Sequence, residues 1–373
     1  KIMKFSVTWL KDHLETNASV VEITDALNRI GLEVEGVEDP SKQLAGFKVA
    51  KVLTAVKHPN ADKLKLLSVD IGDKEPLQVV CGAPNARAGI KGVLGLPGAT
   101  VPSSGMELKK SEIRGVESFG MMCSLSELGL GEDHDGIIEL PEDATVGYDF
   151  SDYHGSSPVI DVAITPNRPD CMGVFGIARD LAAAGIGELK PISVPDFDIS
   201  EACPIDIKIQ DSDGCAAFYG RVIKGVKNGP SPDWLQQRLK SAGQRPISLV
   251  VDLTNYLMLA FGRPAHVYDL DKLVGPITAR KAFEGEQFLA LNERTYTLDP
   301  SITVIADEEG VHDIAGIMGG QHSGAKDETT NILLEIAYFN PAKIGVTGRK
   351  LGLASDARTR FERGVDPAFL DQG

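Results

Sequence analysis

The sequence of 373 residues predicts a multidomain α+β protein, in which a small β-barrel or sandwich interrupts a split α/β domain and a mixed α+β region follows. Two observations support this prediction. Helical spacing of apolar residues near the amino end gives way to short apolar runs between residues 45 and 150, and a strand-then-helix pattern returns near residue 159. The expected domains are residues 1–39 with 152–195, residues 40–151 and residues 200–373.

The first half of the split domain is predicted from helix signals. A helix is expected over residues 8–14, and a capping box of Ser19 and Glu22 predicts the start of a second helix, because these side chains satisfy free N–H groups there. Gly31 predicts the end of that helix, and a strand should follow over residues 32–37.

The second half follows the interruption. Residues 159–164 predict a strand and residues 174–184 a helix, which together would complete the same domain. Between them lies a Pro-rich turn that contains Asn167, Arg168 and Asp170, and we interpret it as a self-satisfied turn at a domain junction.

The interrupting region is predicted to be β-rich. Its short apolar runs, punctuated by Gly, Pro, Asn and Asp, predict strands over residues 47–56, 64–71, 77–81 and 92–96. The acidic stretch over residues 132–143 is expected to be an exposed loop. Farther on, Ser231 is expected to cap a helix that has Pro232 at its first position and Gly243 beyond its end.

Composition narrows the classes of function. The net charge is −15, yet residues 41–130 hold twelve Lys and Arg against eight Asp and Glu, which indicates either local RNA binding or a solvated basic surface. Five scattered cysteines favour a reducing cytoplasm over a disulfide framework or a zinc site. No apolar run approaches the length of a membrane span, and no paired histidine motif indicates a metal.

The β-rich region places short polar and basic side chains at its turns, which suits contacts to phosphate and sugar. The candidates are His58, Asn60, Lys63, Lys65, Asn85, Arg114 and Ser118. The alternative is that Pro, Asn and Gly simply build turns there. The segments HPNADKLK (58–65), CGAPN (81–85), RGVESFGMMCS (114–124) and ELGL (127–130) resemble the OB-fold tRNA-binding module of several synthetases. This resemblance implies an RNA partner.

The third region contains an isolated carboxylate. Glu335 is the only charge in residues 332–339, and strand alternation would turn it with Leu333 and Ala337 toward a partly apolar space. A buried carboxylate is costly unless it is paired, so Glu335 should either meet a donor such as a phenol hydroxyl or form an ion pair, for example with Arg245.

Other polar residues of this region allow two interpretations each. His266 follows Gly262 and Pro264 and is expected in a loop, where it could orient a water or a ribose, or cap a helix. Thr254 and Asn255 are expected where a helix begins, either as functional groups or as its cap. The glycine cluster of Gly316, Gly319 and Gly320 could let a substrate approach the backbone.

Further segments resemble the beta subunit of bacterial phenylalanine–tRNA ligases. They are KFSVTWL (4–10), VAITPNRPDC (162–171), GIARDL (176–181), QRP (244–246), VDLTNY (251–256), GRPAH (262–266), AGIMGG (315–320), LLEIAYF (333–339) and SDARTRFERGVDP (355–367). The resemblance implies an OB-fold barrel, a split domain around it and an editing domain that hydrolyses mischarged tyrosyl-tRNA(Phe).

The resemblance also assigns roles and partners. It implies catalytic roles for His266, Thr254 and Asn255, and substrate contacts from Glu335, Gly316, Gly319, Arg245 and Ala357. It implies a cytoplasmic heterotetramer of two alpha and two beta subunits acting on tRNA(Phe), with no membrane or DNA partner. ATP and magnesium would serve the full complex, with no cofactor or metal in this region. The alternative function is a non-catalytic tRNA-binding scaffold for the alpha subunit.

Overall fold

The computed structural model describes residues 2–155, 157–197 and 201–373 and divides into two compact units. We call residues 38–158 the insert and residues 1–37 with 159–373 the larger unit. The larger unit is therefore formed by two separate stretches of chain. Among the described residues, none of the helices combines the length and the apolar character that crossing a bilayer requires.

The amino-terminal stretch of the larger unit alternates strands and helices. Its elements are β1 (Ile2–Ser6), α1 (Val7–His13), β2 (Leu14–Glu15), α2 (Val20–Arg29) and β3 (Glu33–Glu38). The predicted capping box is confirmed, because the Ser19 side chain accepts from the backbone of Glu22 and the Glu22 side chain accepts from that of Ser19.

The insert is mainly β-structure. Its elements are α3 (Pro40–Gln43), β4 (Phe47–Lys57), β5 (Lys65–Asp70), β6 (Leu77–Cys81), β7 (Lys91–Gly95), β8 (Ser111–Ile113), β9 (Val116–Ser118), β10 (Met121–Met122) and α4 (Phe150–Tyr153). Strands β10-β7-β4-β5-β6 form one antiparallel sheet, and β8 pairs with β9. The four predicted strands are confirmed to within about a residue at each end.

Hydrogen bonds draw the two edges of this sheet together. The Ser118 hydroxyl accepts from the backbone N–H of Val80 at 3.0 Å, and the N–H of Phe119 donates to the carbonyl of Gln78 at 2.9 Å. These bonds join β6 to the segment that leads into β10, so the sheet is nearly closed into a barrel. The predicted acidic loop is exposed at residues 132–135 and 141–143, whereas Ile137 and Ile138 between them are buried in the barrel.

The second stretch of the larger unit contains the remaining elements. They are β11 (Val159–Ala163), α5 (Val174–Ala183), β12 (Glu188–Leu189), β13 (Ile207–Ile209), β14 (Cys215–Ile223), α6 (Asp233–Ser241), α7 (Leu249–Phe261), β15 (His266–Asp269), β16 (Ile277–Lys281), β17 (Gln287–Leu289), β18 (Thr295–Thr297), β19 (Thr303–Ala306), β20 (Val311–Ile314), β21 (Met318–Gly319), β22 (Ile332–Phe339), α8 (Pro341–Leu351) and α9 (Asp356–Arg363). Short 3₁₀ turns occur at Pro169–Cys171, Leu270–Lys272 and Pro367–Phe369.

Strands from both stretches share one sheet. Its order is β1-β11-β3, and β1 pairs antiparallel with β11, while β2 pairs with β12. The helices around this sheet share a core that includes Trp9, Leu27, Ile177 and Leu239. Because Leu239 belongs to α6, this core continues beyond the predicted domain boundary near residue 200.

Two larger sheets, the β17–β18 pair and the remaining helices form the rest of the larger unit. One has the order β14-β22-β15, and the other has the order β13-β16-β19-β20-β21. A second core lies between them and includes Tyr268, Val304, Ile314, Leu333 and Phe339. The first of these sheets holds the two residues that the sequence singled out most strongly, His266 and Glu335.

Candidate active site

His266 and Glu335 face each other across neighbouring strands. They are directly paired in the antiparallel register of β15 and β22, so their side chains lie on the same face of the sheet. Glu335 is only 5% exposed, which confirms its predicted inward orientation. The expected loop at His266 is wrong, as is the helix-capping alternative, because Gly262 ends α7 with a φ of 66° and His266 already begins β15.

A tyrosine of the chain itself contacts this carboxylate. Tyr268 lies two residues beyond His266, and its phenol hydroxyl donates a hydrogen bond to Oε2 of Glu335. Its ring packs edge-on against His266, with 4.5 Å between the ring centroids, and is fully buried. The sequence pattern did not indicate Tyr268. Strand alternation from His266 would have found it, had a strand been recognised there.

A glycine makes room for the imidazole. A Cβ atom on Gly319 would lie 2.6 Å from Cε1 of His266, closer than real side-chain contacts allow. Gly319 in β21 pairs with Asp313 in β20, and Oδ2 of Asp313 lies 3.8 Å from Nε2 of His266. Asp313 is buried and was also missed, although it is a charge next to an apolar run, the signal that identified Glu335.

Burial favours the neutral forms of these groups. It raises the pKa of Glu335 to about 7, although the hydrogen bond from Tyr268 and the charge of Arg263 act in the opposite direction. Burial, reinforced by the charge of Glu335, raises the pKa of Asp313 well above its usual range. Burial, together with His312, lowers the pKa of His266 to about 4, so its imidazole is uncharged at neutral pH.

The cation near Glu335 is Arg263. This side chain is 1% exposed and donates from Nη2 to the carbonyl of Ala337 at 2.8 Å, and burial lowers its pKa to about 10. Arg245 is exposed instead, and the carboxylate of Glu335 is bonded to Tyr268. The alternative of an ion pair between Glu335 and Arg245 is therefore wrong.

Hydrogen bonds link the segments that carry Ala357 and Arg245 to the turn at residues 315–317, which contains Gly316. The Ser355 hydroxyl donates to the carbonyl of Ile317 at 2.8 Å, which brings the start of α9, with Ala357, to this turn. Gln244 donates to the carboxylate of Asp356 at 2.9 Å, which brings in the loop that carries Arg245.

Gly316 differs from the expectation that it leaves room for a substrate. A Cβ atom on Gly316 would lie 2.7 Å from Phe339 and 2.8 Å from Phe361, and its φ is 69°. The missing side chain is therefore required by aromatic packing and by the left-handed backbone.

Thr254 and Asn255 lie in the middle of α7 rather than at its start. The Thr254 hydroxyl donates to the carbonyl of Val251 within the same helix at 2.7 Å, so the capping alternative is wrong. The helix begins earlier because buried Asp252 accepts the N–H of Ile247 at 2.8 Å. Asp252 also accepts the Ser231 hydroxyl, so Ser231 does not cap α6, which begins at Asp233.

Four of the seven predicted tRNA contacts hold the barrel together. His58 is buried, donates from Nε2 to the carbonyl of Ile113 and accepts the N–H of Asn60 at Nδ1. Lys65 donates to the carbonyl of Ala86 at 2.6 Å. Like the buried Ser118 described above, these two side chains make their hydrogen bonds inside the insert.

Asn85 also forms its hydrogen bonds within the insert. Its side chain donates to the carbonyl of Ile137 at 2.8 Å and accepts the N–H of Ile137 at 2.9 Å. The other three predicted contacts, Asn60, Lys63 and Arg114, are exposed. Asn60 donates to the carbonyl of Arg114 at 2.9 Å, which joins the loop after β4 to the β8–β9 turn. The Lys110 ammonium lies 4.7 Å from the ring centroid of Phe119 and 2.7 Å from Oε1 of Glu117.

The turn at residues 165–170 is satisfied internally, as predicted. Arg168 donates to Asp170 from Nε and Nη2, at 3.1 and 2.9 Å, and also bonds Asp180. Asp170, Cys171 and Asp180 are the only trio with metal-ligand spacing in the described part of the chain. Because Arg168 and Arg179 already pair with both carboxylates, this trio is part of an ion-pair network.

Comparison with protein families matches two parts of this chain. Residues 47–149 match the model described as "Putative tRNA binding domain", and residues 214–373 match the model described as "B3/4 domain". Among solved structures, an N-terminal fragment of the phenylalanyl-tRNA synthetase beta-subunit from Pyrococcus horikoshii covers 52% of this chain and 62% of its own length. Its sequence identity to this chain is 16%, and its TM-score is 0.31.

Proteins named phenylalanine–tRNA ligase beta subunit match the whole chain. The relative from Novosphingobium aromaticivorans is 68% identical over 100% of this chain and 47% of its own length. Those from Zymomonas mobilis and Rhodopseudomonas palustris are 57% and 54% identical, over 100% of this chain and 47% and 46% of their own lengths. The chain therefore belongs to the phenylalanine–tRNA ligase beta-subunit family and spans about half the length of the relatives that it matches.

Proposed function

We propose that this chain binds tRNA and hydrolyses mischarged tyrosyl-tRNA(Phe), as part of a ligase that charges tRNA(Phe) with phenylalanine. The observation that supports this most directly is the pairing of His266 with Glu335 across β15 and β22. This pairing places the neutral imidazole of His266 beside the carboxyl group of Glu335, which already accepts a hydrogen bond from the phenol hydroxyl of Tyr268.

The chemistry of the two amino acids explains why such a ligase needs a second site. Tyrosine is phenylalanine with one added hydroxyl, and an apolar pocket rejects such an analogue by only about 100-fold. A site that hydrogen-bonds the hydroxyl rejects the analogue lacking it by roughly 10⁴–10⁵. Selecting tyrosine for hydrolysis is therefore more effective than excluding it from synthesis.

Glu335 is suited to recognising that hydroxyl. When it is ionised, its carboxylate has about four acceptor positions, of which the phenol of Tyr268 uses one. The tyrosyl hydroxyl would take another, and the apolar neighbours Leu333 and Ala337 on the same face would contact its ring. A phenylalanyl ring would leave that acceptor unused.

His266 is suited to orienting the ester. Its side chain is 24% exposed, and its ring lies against Gly319. An uncharged imidazole can hydrogen-bond the terminal ribose or the attacking water, and hydrolysis of an activated ester needs mainly such orientation. Thr254 and Asn255 remain predicted to position the terminal adenosine and the attacking water, and Arg245 and Ala357 remain predicted substrate contacts.

The rest of the assembly follows from family membership. We propose that residues 40–151 form an OB-fold that contacts tRNA through Asn60, Lys63 and Arg114. We further propose that this domain is inserted in a split domain of residues 1–39 and 152–195, and that residues 200–373 form the editing domain. The partner would be the alpha subunit, in a cytoplasmic α2β2 complex whose aminoacylation site uses ATP and magnesium.

The test is release of tyrosine from preformed tyrosyl-tRNA(Phe), with phenylalanyl-tRNA(Phe) as the control ester. The beta subunit assembled with its alpha subunit should release tyrosine selectively. Glu335→Gln should reduce the selectivity, and His266→Ala should reduce the rate. Absence of selective hydrolysis by the unaltered complex would refute the editing function.

A non-catalytic scaffold is the second candidate, because several polar residues of the insert serve its structure and the insert matches a tRNA binding domain model. The scaffold function predicts that His266→Ala and Glu335→Gln change the free energy of unfolding. Tyrosine release would equal the spontaneous rate of tyrosyl-tRNA(Phe) hydrolysis without protein, both before and after substitution. The same assay therefore separates the two candidates.

A further inference from the structure

We propose that Asp313 is a positioning residue for His266, and that it donates a hydrogen bond to Nε2 so that Nδ1–H points to the substrate. This inference rests on the proposed hydrolytic function, which it deepens by assigning a role to a buried carboxyl group.

The geometry pairs the two side chains. Oδ2 of Asp313 lies 3.8 Å from Nε2 of His266, and the lack of a side chain at Gly319 lets the imidazole approach β20 and β21. This separation exceeds a normal hydrogen bond by about 0.8 Å.

Neither group is used by the rest of the fold. Nε2 of His266 and Oδ1 of Asp313 are both buried and have no hydrogen-bond partner among the described residues. Buried polar atoms are nearly always paired in folded proteins, so two adjacent unpaired groups call for an explanation. A hydrogen bond from Asp313 to His266 during hydrolysis provides Nε2 with a partner and assigns the Asp313 carboxyl group the role of orienting the imidazole.

A second histidine and aspartate pair nearby provides a contrast. Nε2 of His312 lies 2.7 Å from Oδ2 of Asp307, whose carboxylate also accepts the N–H groups of Val274 and Glu309. That carboxylate is fully engaged in holding a loop. Asp313 has no such backbone bonds among the described contacts, so the fold does not need its carboxyl group for a turn.

The direction of the proposed hydrogen bond follows from the surroundings. Asp313 and Glu335 are both buried, and their mutual repulsion disfavours two negative charges, so a protonated Asp313 is favoured as the donor. Nε2 of His266 then accepts, and the neutral ring carries its own proton on Nδ1. Since Nε2 is buried, Nδ1 is the nitrogen left for an incoming ester or ribose oxygen, to which it donates.

Two substitutions test this assignment in the complex of the beta and alpha subunits. Asp313→Asn keeps a donor of the same size, so tyrosine release should stay within a few-fold of the unaltered rate. Asp313→Ala removes the donor, so kcat should fall by about 100-fold while KM for tyrosyl-tRNA(Phe) is unchanged. In the His266→Ala background, Asp313→Ala should cause no further loss.

A spectroscopic measurement is independent of hydrolysis. In the chain labelled with ¹⁵N-histidine, His266 should show the Nδ1–H tautomer in the unaltered and Asp313→Asn forms and a mixture in Asp313→Ala. Asp307→Asn is the matched control, because it removes a buried carboxylate from the other pair and should leave the His266 tautomer and tyrosine release unchanged.

The outcomes separate this inference from the proposed function. If the unaltered complex releases no tyrosine, the editing function fails, and the tautomer still tests Asp313. If His266→Ala abolishes hydrolysis while Asp313→Ala retains it, the role of Asp313 is refuted. The role is also refuted if Asp313→Asn lowers the rate of tyrosine release as much as Asp313→Ala does. A tautomer that is the same in all three forms also refutes it.

Discussion

The barrel and the His266 site use similar polar side chains in opposite ways. In the barrel, His58 and Ser118 are buried and complete hydrogen bonds to the backbone. In the larger unit, Nε2 of His266 and Oδ1 of Asp313 are buried and lack hydrogen-bond partners among the described residues. Satisfied polar groups stabilise a fold, whereas unsatisfied ones cost stability and are typical of sites that await a ligand. Substitutions of these polar groups in the barrel should therefore lower stability, whereas substitutions around His266 should lower activity.

The largest effect that we expect is a pH dependence of stability from Glu335. Its pKa is raised by burial from 4.5 to about 7, so the folded protein keeps this proton at pH values where the unfolded chain loses it. The free energy of unfolding should therefore fall by roughly 3 kcal/mol as the pH rises from below 4.5 to above 7. Glu335→Gln should lack this loss, measured by denaturant unfolding across the pH range.

Asp299→Asn provides a control of opposite sign. The side chains of Lys350 and Ser301 lower the pKa of Asp299 to about 2, so its stabilising effect is present above its unfolded pKa and is lost on acidification. The unaltered and Asp299→Asn proteins should therefore converge in stability as the pH falls toward 2. Equal pH dependence of the unaltered and Glu335→Gln proteins would contradict the buried-carboxyl interpretation.

Gly319→Ala should have the next largest effect, on activity. The added methyl group would lie 2.6 Å from Cε1 of His266, so the imidazole must move. A displacement of about 1 Å at a catalytic group can lower the rate by about 100-fold, and we expect that loss in tyrosine release. Gly229→Ala is the control, because a Cβ atom there meets nothing within 4 Å. Full activity of Gly319→Ala would contradict the close packing that defines this site.

The sequence predicted what depends on local signals. The capping box of Ser19 and Glu22 fixes the start of α2 without help from distant residues, and the isolated charge of Glu335 in an apolar strand revealed its burial. Both features are contained within a few neighbouring residues. That is why single-sequence reasoning located them to within a residue.

The errors arose where distant residues decide the structure. His266 was expected in a loop because Gly262 and Pro264 precede it, yet pairing with β22 makes it a strand residue. Thr254 and Asn255 have cap-forming side chains, but the start of α7 is set by Asp252, which bonds Ser231 twenty-one residues away. These partners could not be identified without the tertiary fold.

Ser118→Ala should reduce stability in the barrel. It removes the acceptor of the Val80 N–H and leaves that buried donor unpaired at the point where β6 approaches β10. A loss of about 1–3 kcal/mol is expected from thermal or denaturant unfolding of the chain. Tyrosine release by the folded variant should remain normal. If Ser118→Ala lost hydrolysis without losing stability, the structural role assigned to Ser118 in the barrel would be contradicted.

The smallest effect concerns the exposed part of the barrel. Lys63 lies between β4 and β5 and is exposed, so removing its charge should leave the free energy of unfolding within about 0.5 kcal/mol. If Lys63 contacts a tRNA phosphate, Lys63→Ala should weaken tRNA binding a few-fold. In a plot of the logarithm of affinity against the logarithm of salt concentration, the magnitude of the slope should then decrease by about one.

Lys74→Ala is the matched control for this measurement. Lys74 is also an exposed lysine of the insert, but it lies in the turn after β5, at the other end of that strand from Lys63. Because the two variants change the net charge equally, a general electrostatic attraction would weaken both alike. A loss confined to Lys63→Ala assigns tRNA contact to the end of the barrel that carries Asn60 and Arg114, and equal losses would refute that assignment.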